Sequence, residues 1–219
     1  MNRPSSLGLT PFVVNHPELG KTMIVNFVWS SDDKEDGMEW VNRICDLGPV
    51  KMNTVTETTI TTLLEMNQAV VPNSVWGGDR TVSLPAISES TAKIIAKYVE
   101  NIPSDGGNCF VIHELRGPST KSDDSSIFGA REPHYMLELI GSVLDKANME
   151  CSQNWITEFR RELKGTGEAM KVEYLSMSKP GDALLSDCFG NNLEFLMDLK
   201  RKHDPEGVFD MAVPRLNGN

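Results

Sequence analysis

A helix that runs directly into a strand constrains this fold more than any other feature of the sequence. The segment SESTAKIIAKYVENIPSDGG (88–107) has a capping serine, Ser88, and is closed by Pro103 and two glycines. NCFVIHELRG (108–117) follows at once, and its apolar run bounded by glycines predicts a buried strand. The apolar stripe of the helix needs a surface to cover, so this succession predicts a helix packed on a sheet.

Other segments extend the same pattern along the chain. Segments rich in branched and aromatic residues, or with alternating apolar and polar residues, predict further strands at 21–30, 50–59, 79–85, 134–143 and 170–177. Apolar residues at helical spacing predict helices at 32–48, 61–70, 149–163 and from 189 onward. We therefore expect one α+β domain over residues 1–219, with the helices on one face of the sheet.

Charge and composition exclude several kinds of partner. The net charge of −10 argues against nucleic acid and anionic membranes, which select basic surfaces. No apolar run approaches the roughly 20 residues that span a bilayer, and the N-terminal residues lack a signal-peptide pattern. The four cysteines are widely spaced without a C-x-x-C pair, which is typical of reduced thiols. We expect a cytoplasmic protein without a metal site.

The segment FGNNLEFLMDLKRKHDPEGVF (189–209) predicts a helix with a definite end. The cationic side chains in its last turn interact favourably with the negative end of the helix dipole. Asp204 and Pro205 then end the helix. Val208 and Phe209 then form an apolar tip, which we call the C-terminal plug. Because an apolar plug needs a surface to contact, 189–209 is predicted to be a docking helix and tail.

Three segments resemble the substrate-binding region of berberine-bridge-enzyme-like, FAD-linked oxidases. The ending at 189–209 is similar to the C-terminal signature of that family, VIHELRG (111–117) to a strand of its substrate domain, and SSIFGAREPHYMLEL (125–139) to the next segment. Their order and spacing also agree. The resemblance implies an antiparallel sheet covered by helices on one face, whose other face holds a bulky hydrophobic substrate.

The flavin-binding domain of that family, which is N-terminal to this region, has no counterpart in the sequence. No glycine-rich strand–turn–helix phosphate motif occurs in the 219 residues. Gly129, Ala130 and Arg131 replace a family Pro-His-Arg run, and Glu173 and Tyr174 stand where the last strand would carry an asparagine near the flavin. We therefore expect no cofactor, with FAD present only if a partner domain supplies it.

The polar residues of these segments are the site candidates. Glu173 and Tyr174 are the first choice as general acid and hydrogen-bond donor, with His113 as a third catalytic candidate. His113 and Glu114 are neighbours on one strand, so only one of them can face the pocket. The substrate-binding candidates, each of which also has an ordinary structural explanation, are Glu114, Arg116, Arg131, His134, Glu138 and Trp76.

These observations lead to a hypothesis and two alternatives. The hypothesis is a cofactor-independent cyclase or isomerase, such as a pericyclase, that acts on a hydrophobic natural-product intermediate. The exposed substrate face would then be covered by a second copy in a homodimer. The alternatives are the substrate half of a split or truncated FAD-dependent oxidoreductase, or a binding protein without catalysis.

Overall fold

The computed structural model places a five-stranded antiparallel sheet at the centre of the protein, in the order β2–β1–β4–β5–β3. It describes residues 3–69, 74–121, 126–127, 129–179, 181–182, 184–211 and 215–216. The strands are β1 (Leu7–His16), β2 (Gly20–Trp29), β3 (Trp76–Leu84), β4 (Asn108–Leu115) and β5 (His134–Val143). The helices are α1 (Lys34–Cys45), α2 (Ile60–Ala69), α3 (Glu89–Glu100), α4 (Met149–Gly165), α5 (Leu185–Phe189) and α6 (Leu193–His203).

The main core lies between one face of the sheet and the helices α3 and α4. Phe159 of α4 is fully buried and stacks on Tyr98 of α3, with ring centroids 4.5 Å apart. Trp155 donates from its indole nitrogen to the carbonyl oxygen of Tyr98 at 3.0 Å, which ties the two helices together. The sheet contributes Val13, Val82, Leu84, Phe110, Leu137 and Leu139 to this core. The predicted α+β class, with an antiparallel sheet and helices on one face, is confirmed.

A glycine allows α4 to approach the sheet closely, because a Cβ atom on Gly141 would lie 2.8 Å from the carbonyl oxygen of Ser152. Gly77 allows a close approach between strands, since a Cβ atom there would lie 2.3 Å from the carbonyl oxygen of Gly141. Gln153 uses the space by donating to the carbonyl oxygens of Gly78 and Gly141, at 3.1 and 2.8 Å. The start of α4 is therefore hydrogen-bonded to the sheet as well as packed on it.

Strand β1 is absent from the predictions because its sequence, LGLTPFVVNH, contains a proline at its centre. Proline lacks an N–H group and is normally excluded from inner strands. Pro11 is tolerated here because the ladder between β1 and β4 covers only residues Phe12 to Val14. The full length of β1 is instead paired with β2.

Two of the predicted strands are wrong. Residues 50–59 form neither strand nor helix and are exposed throughout, and 170–177 is irregular apart from a short 3₁₀ turn at Leu175–Met177. Both segments alternate like strands, but neither has a neighbouring strand to pair with in the described sheet. The second segment follows the edge of β3, where the amide of Met170 donates to the carbonyl oxygen of Ser83 at 2.8 Å.

The C-terminal segment ends its helix as predicted and holds the plug in a fixed turn. Asp204 accepts from the backbone amides of Val208 and Phe209 at 2.7 and 3.0 Å, and it pairs with Lys200. Lys200 also donates to the carbonyl oxygen of Phe209 at 2.7 Å. None of the α6 residues is buried, and Val208 and Phe209 are 70% and 76% exposed. The predicted contact surface for the plug is therefore not found within the described residues.

None of the helices in the described ranges combines the length and the apolar character that crossing a membrane requires.

Candidate functional site

The sheet face opposite α3 and α4 carries a row of polar side chains, and we call it the site face. Strand alternation and register place Asp79, Thr81, Cys109, Val111, His113, Met136 and Glu138 on it. The intervening residues point into the core. Thr81 and Met136 are 2% and 5% exposed, so part of this face is already covered.

His113 and Glu138 form a direct pair at the centre of the site face. His113 Nε2 lies 2.7 Å from Glu138 Oε2, across the boundary between β4 and β5. The side chains are 30% and 12% exposed, so the pair is reachable from solvent but mostly enclosed. A carboxylate held by an imidazole in such a setting can accept or deliver a proton.

Three polar groups surround this pair. Asp79 lies on β3, where burial raises the pKa of its carboxyl and the nearby Glu138 raises it further. Thr81 lies opposite Glu138 in the register, and its buried hydroxyl oxygen has no hydrogen-bond partner. Burial, with a smaller effect from Glu138, raises the pKa of Cys109 to about 12. Cys109 is therefore a neutral thiol at physiological pH and not an activated nucleophile.

Glu173 and Tyr174, the first-choice catalytic residues, lie elsewhere. Glu173 is buried at the edge of β3, where Arg160 and Lys164 of α4 both pair with its carboxylate. Tyr174 is half-buried and precedes a 3₁₀ turn, so the two residues do not lie on a strand. Among the described hydrogen bonds and ion pairs, none joins either residue to His113 or Glu138. The strand placement that supported the prediction is wrong, and a catalytic role for either stays untested.

Glu114 and Arg116 point to the face opposite His113, as strand alternation requires. Glu114 forms an ion pair with Arg3. Arg116 donates to the carbonyl oxygen of Pro85 at 2.5 Å and lies over the ring of Tyr135. Since both side chains are used in structural contacts away from the site face, the structure separates them from the His113–Glu138 pair.

The remaining substrate-binding candidates lie around the rim of the sheet. His134 shares the site face but is only 2% exposed, and its Nδ1 donates to the carbonyl oxygen of Glu132 at 2.6 Å. Arg131 donates to the Ser126 hydroxyl at 2.8 Å in the preceding loop. Trp76 is half exposed at the start of β3. Among the contacts described for the predicted residues, the one that joins two of them across strands is that of His113 with Glu138.

Sequence reasoning missed Asp79, Thr81 and Cys109. The signal for the first two is the alternation in DRTVSL (79–84), where polar residues alternate with residues that contact the core or the strand edge. At the start of β4, Cys109 precedes Phe110, which points into the core, so Cys109 lies on the opposite face of the strand. Which of these positions adjoin Glu138 depends on strand order, which the sequence pattern does not reveal.

Within the described ranges, no group of three or more histidine, cysteine, aspartate or glutamate side chains is arranged to hold a metal ion. All four cysteines are free thiols.

The chain is similar in sequence to part of a known protein. No family model matches the chain. In sequence it is 24% identical over 201 residues to the FAD-linked oxidoreductase aurO of Gibberella zeae. The matched region covers 91% of this chain and 40% of that protein. The chain thus resembles a part of an FAD-linked oxidoreductase.

Solved structures show the same fold. Wild-type BBE-like 1 of Physcomitrella patens matches with a TM-score of 0.73 and 16% identity, over 100% of this chain and 49% of that one. 6-Hydroxy-D-nicotine oxidase from Arthrobacter nicotinovorans matches with a TM-score of 0.72 and 14% identity, over 94% of this chain and 47% of that one. The fold is therefore that of a region of berberine-bridge-enzyme-like oxidases, and the chain spans half or less of the length of these relatives.

The described residues do not fit the pyrophosphate of FAD. Such a group prefers a helix N-terminus with free backbone amides and no negative charge. Four of the longer helices carry acidic residues in the first turn: Glu35 and Asp36 in α1, Glu89 in α3, Glu150 in α4 and Glu194 in α6. At the start of α2 the Thr59 hydroxyl already accepts from the amide of Thr62 at 3.2 Å. None of the starts of these five helices is therefore suited to the pyrophosphate of FAD.

Proposed function

We propose that this chain supplies the substrate-facing half of an oxidoreductase site, which is completed by a flavin-binding half outside the described residues. The His113–Glu138 pair supports this proposal, because it places a mostly enclosed acid–base pair at 2.7 Å on the sheet face that no core helix covers. The sequence similarity to an FAD-linked oxidoreductase supports oxidation as the class of reaction.

In this function Glu138 accepts the proton that a substrate hydroxyl or amine loses during oxidation. His113 donates from Nε2 to Glu138 Oε2, so it fixes the orientation of the carboxylate and can pass the proton toward solvent. Met136 and Val111, both buried on the same face, provide apolar surface beside the pair. The chain therefore orients the substrate, excludes water and moves a proton, while the oxidant is bound elsewhere.

The C-terminal plug supports docking of a second body. Its turn is already fixed by Asp204 and Lys200, so Val208 and Phe209 are presented without a large ordering cost on binding. Apolar side chains held in a fixed, exposed conformation are typical of an interaction surface. The similarity to an FAD-linked oxidoreductase supports a flavin-binding domain as this second body.

The test is flavin retention after reconstitution. The purified chain is mixed with FAD, alone and together with the part of aurO that this chain does not match, and the flavin absorbance is measured after gel filtration. We expect no retained flavin with the chain alone and a coloured complex with the added half. Phe209→Ser should weaken the complex. Met23→Ser, which changes a similarly exposed apolar side chain on β2, should not. Flavin retained by the chain alone, or no complex, would contradict the proposal.

A cofactor-independent cyclase or isomerase is the second candidate. It is supported by the same pair, because proton transfer between Glu138, His113 and a polyene or polycyclic substrate needs no redox cofactor. In this case a second copy would cover the site face in a homodimer. Conversion of a polyene precursor without FAD by a dimer, and its loss in Glu138→Gln, would favour this candidate over the oxidoreductase.

A further inference from the structure

We propose that Asp79, Thr81 and Glu138 form a subsite that binds the protonated amine of a substrate. This inference rests on the proposed function, since it takes the site face as the place where the substrate lies. It adds the chemical class of the substrate, a hydrophobic molecule with an ammonium group.

The geometry of two neighbouring strands brings these three side chains together. Asp79 and Thr81 are two residues apart on β3, and Glu138 on β5 is the register partner of Thr81. Residues two apart on a strand are separated by about 6.6 Å, and opposite Cβ atoms by about 5 Å. These spacings bring the three side chains within reach of a single ammonium group.

Thr81 indicates that this space takes a polar group. The residue is 2% exposed, yet its hydroxyl oxygen has no hydrogen-bond partner. Buried hydroxyl groups are almost always paired, since desolvation without a partner is costly. Because Thr81 lies between Asp79 on its own strand and Glu138 on the next, a donor bound between the two carboxylates can supply the missing partner.

The charges of the described side chains favour a cation there. Asp79 and Glu138 are two carboxylates, and His113 supplies one imidazole, which is already used by Glu138. Lys179 lies near enough to influence Asp79, but its Nζ donates to Gln153 Oε1 at 2.8 Å. Arg80, also close in sequence, points to the opposite face and pairs with Asp182. Asp79 therefore retains a half-buried carboxylate for an ammonium donor.

The experiment compares two probes of nearly equal shape. Calorimetric titration at pH 7 measures binding of 2-phenylethylamine, which is cationic, and of 2-phenylethanol, which is neutral, to the full chain. We expect the amine to bind about tenfold more tightly, as a charge-assisted hydrogen bond predicts. Asp79→Asn should remove that preference and leave the affinity for the alcohol unchanged.

Two further variants make the result decisive. Thr81→Val keeps the side-chain shape and should weaken the binding of the amine but not of the alcohol. This variant tests the subsite even if Asp79→Asn does not fold. Asp198→Asn removes an exposed carboxylate on α6 and should change neither affinity. Equal binding of both probes, binding of neither, or an amine preference that survives both site variants would overturn the proposal. Since no flavin is present, failure here is distinguishable from failure of the reconstitution experiment.

Discussion

Two buried glutamates, Glu138 and Glu173, contact different partners in this protein. Glu138 contacts one imidazole and remains reachable on the site face. The side chain of Glu173 is 2% exposed and forms ion pairs with Arg160 and Lys164 of α4. These two ion pairs tie Glu173 to the helix, so its contacts are those of a structural residue, whereas the proposed chemistry rests on Glu138.

Glu173→Gln is therefore expected to destabilise the protein. Removing one partner of a buried ion pair leaves the remaining charges unbalanced, which costs about 3 kcal/mol of unfolding free energy. Chemical denaturation at pH 7 measures this loss. Glu57→Gln is the control, since Glu57 is 79% exposed in its pair with Lys34 and should change stability little. Unchanged stability in Glu173→Gln would show that the network is dispensable.

Asp79→Asn is expected to raise stability at neutral pH. Burial raises the pKa of Asp79, so the folded state is penalised when this carboxyl is ionised. The loss of folding free energy is present above the raised pKa of the folded state. It disappears as the pH falls toward the pKa of the unfolded state, because the wild-type carboxyl is then protonated. Melting curves of both proteins should therefore differ at pH 7 and converge in acid. A variant less stable than wild type at pH 7 would contradict this.

The candidate site could be predicted from the sequence only in part. Alternation along β4 and β5 places His113 and Glu138 among the polar candidates, because the faces of a strand follow from its period of two. Their pairing, and the proximity of Asp79 and Thr81, require the strand order β4–β5–β3, which joins segments distant in the sequence. No local pattern contains that information.

At the scale of elements, the contact between α4 and the sheet depends on glycine. Gly141→Ala is expected to cost about 1–3 kcal/mol, because the new methyl group would meet a backbone oxygen of the helix at 2.8 Å. Gly165→Ala, at the other end of the same helix, meets no atom within 4 Å and should be neutral or slightly stabilising. Thermal unfolding of the pair measures the difference, and equal melting temperatures would show that α4 can shift without cost.

The turn that carries the C-terminal plug is expected to open in acid. Lys200 and the backbone amides of Phe209 and Val208 lower the pKa of Asp204, so its charged form favours the turn. This contribution is present above the ordinary pKa of aspartate and is lost as the pH falls through the lowered value. The protection of the Val208 and Phe209 amides against hydrogen exchange, measured relative to the intrinsic rate at each pH, should fall in that range. Amides that are unprotected at pH 7, or protection that is unchanged by Asp204→Asn, would contradict a turn held by this carboxylate.

Helices were predictable from the sequence because each carries its own apolar stripe and end signals. The helices at 88–107 and 149–163 correspond to α3 and α4, although α3 ends at Glu100. Strands were less predictable, since a strand exists only where another pairs with it. Residues 50–59 alternate without a partner strand, whereas β1 is paired despite its proline.

At the scale of the whole molecule, the two edge strands of the sheet, β2 and β3, differ. The edge at β3 is occupied, because Arg160 and Met170 donate to the carbonyl oxygens of Thr81 and Ser83. At the other edge, β2 is paired with β1 along its length and has no other strand beside it in the described part of the chain. Among the described residues, β2 is thus the edge that is available for backbone pairing.

This asymmetry limits how the protein can self-associate through its backbone. If two copies join edge to edge at β2, each uses the edge that is open in the described part of the sheet, and a third copy finds no second open edge there. Such growth stops at a closed pair, whereas a sheet with two available edges can extend into a fibre.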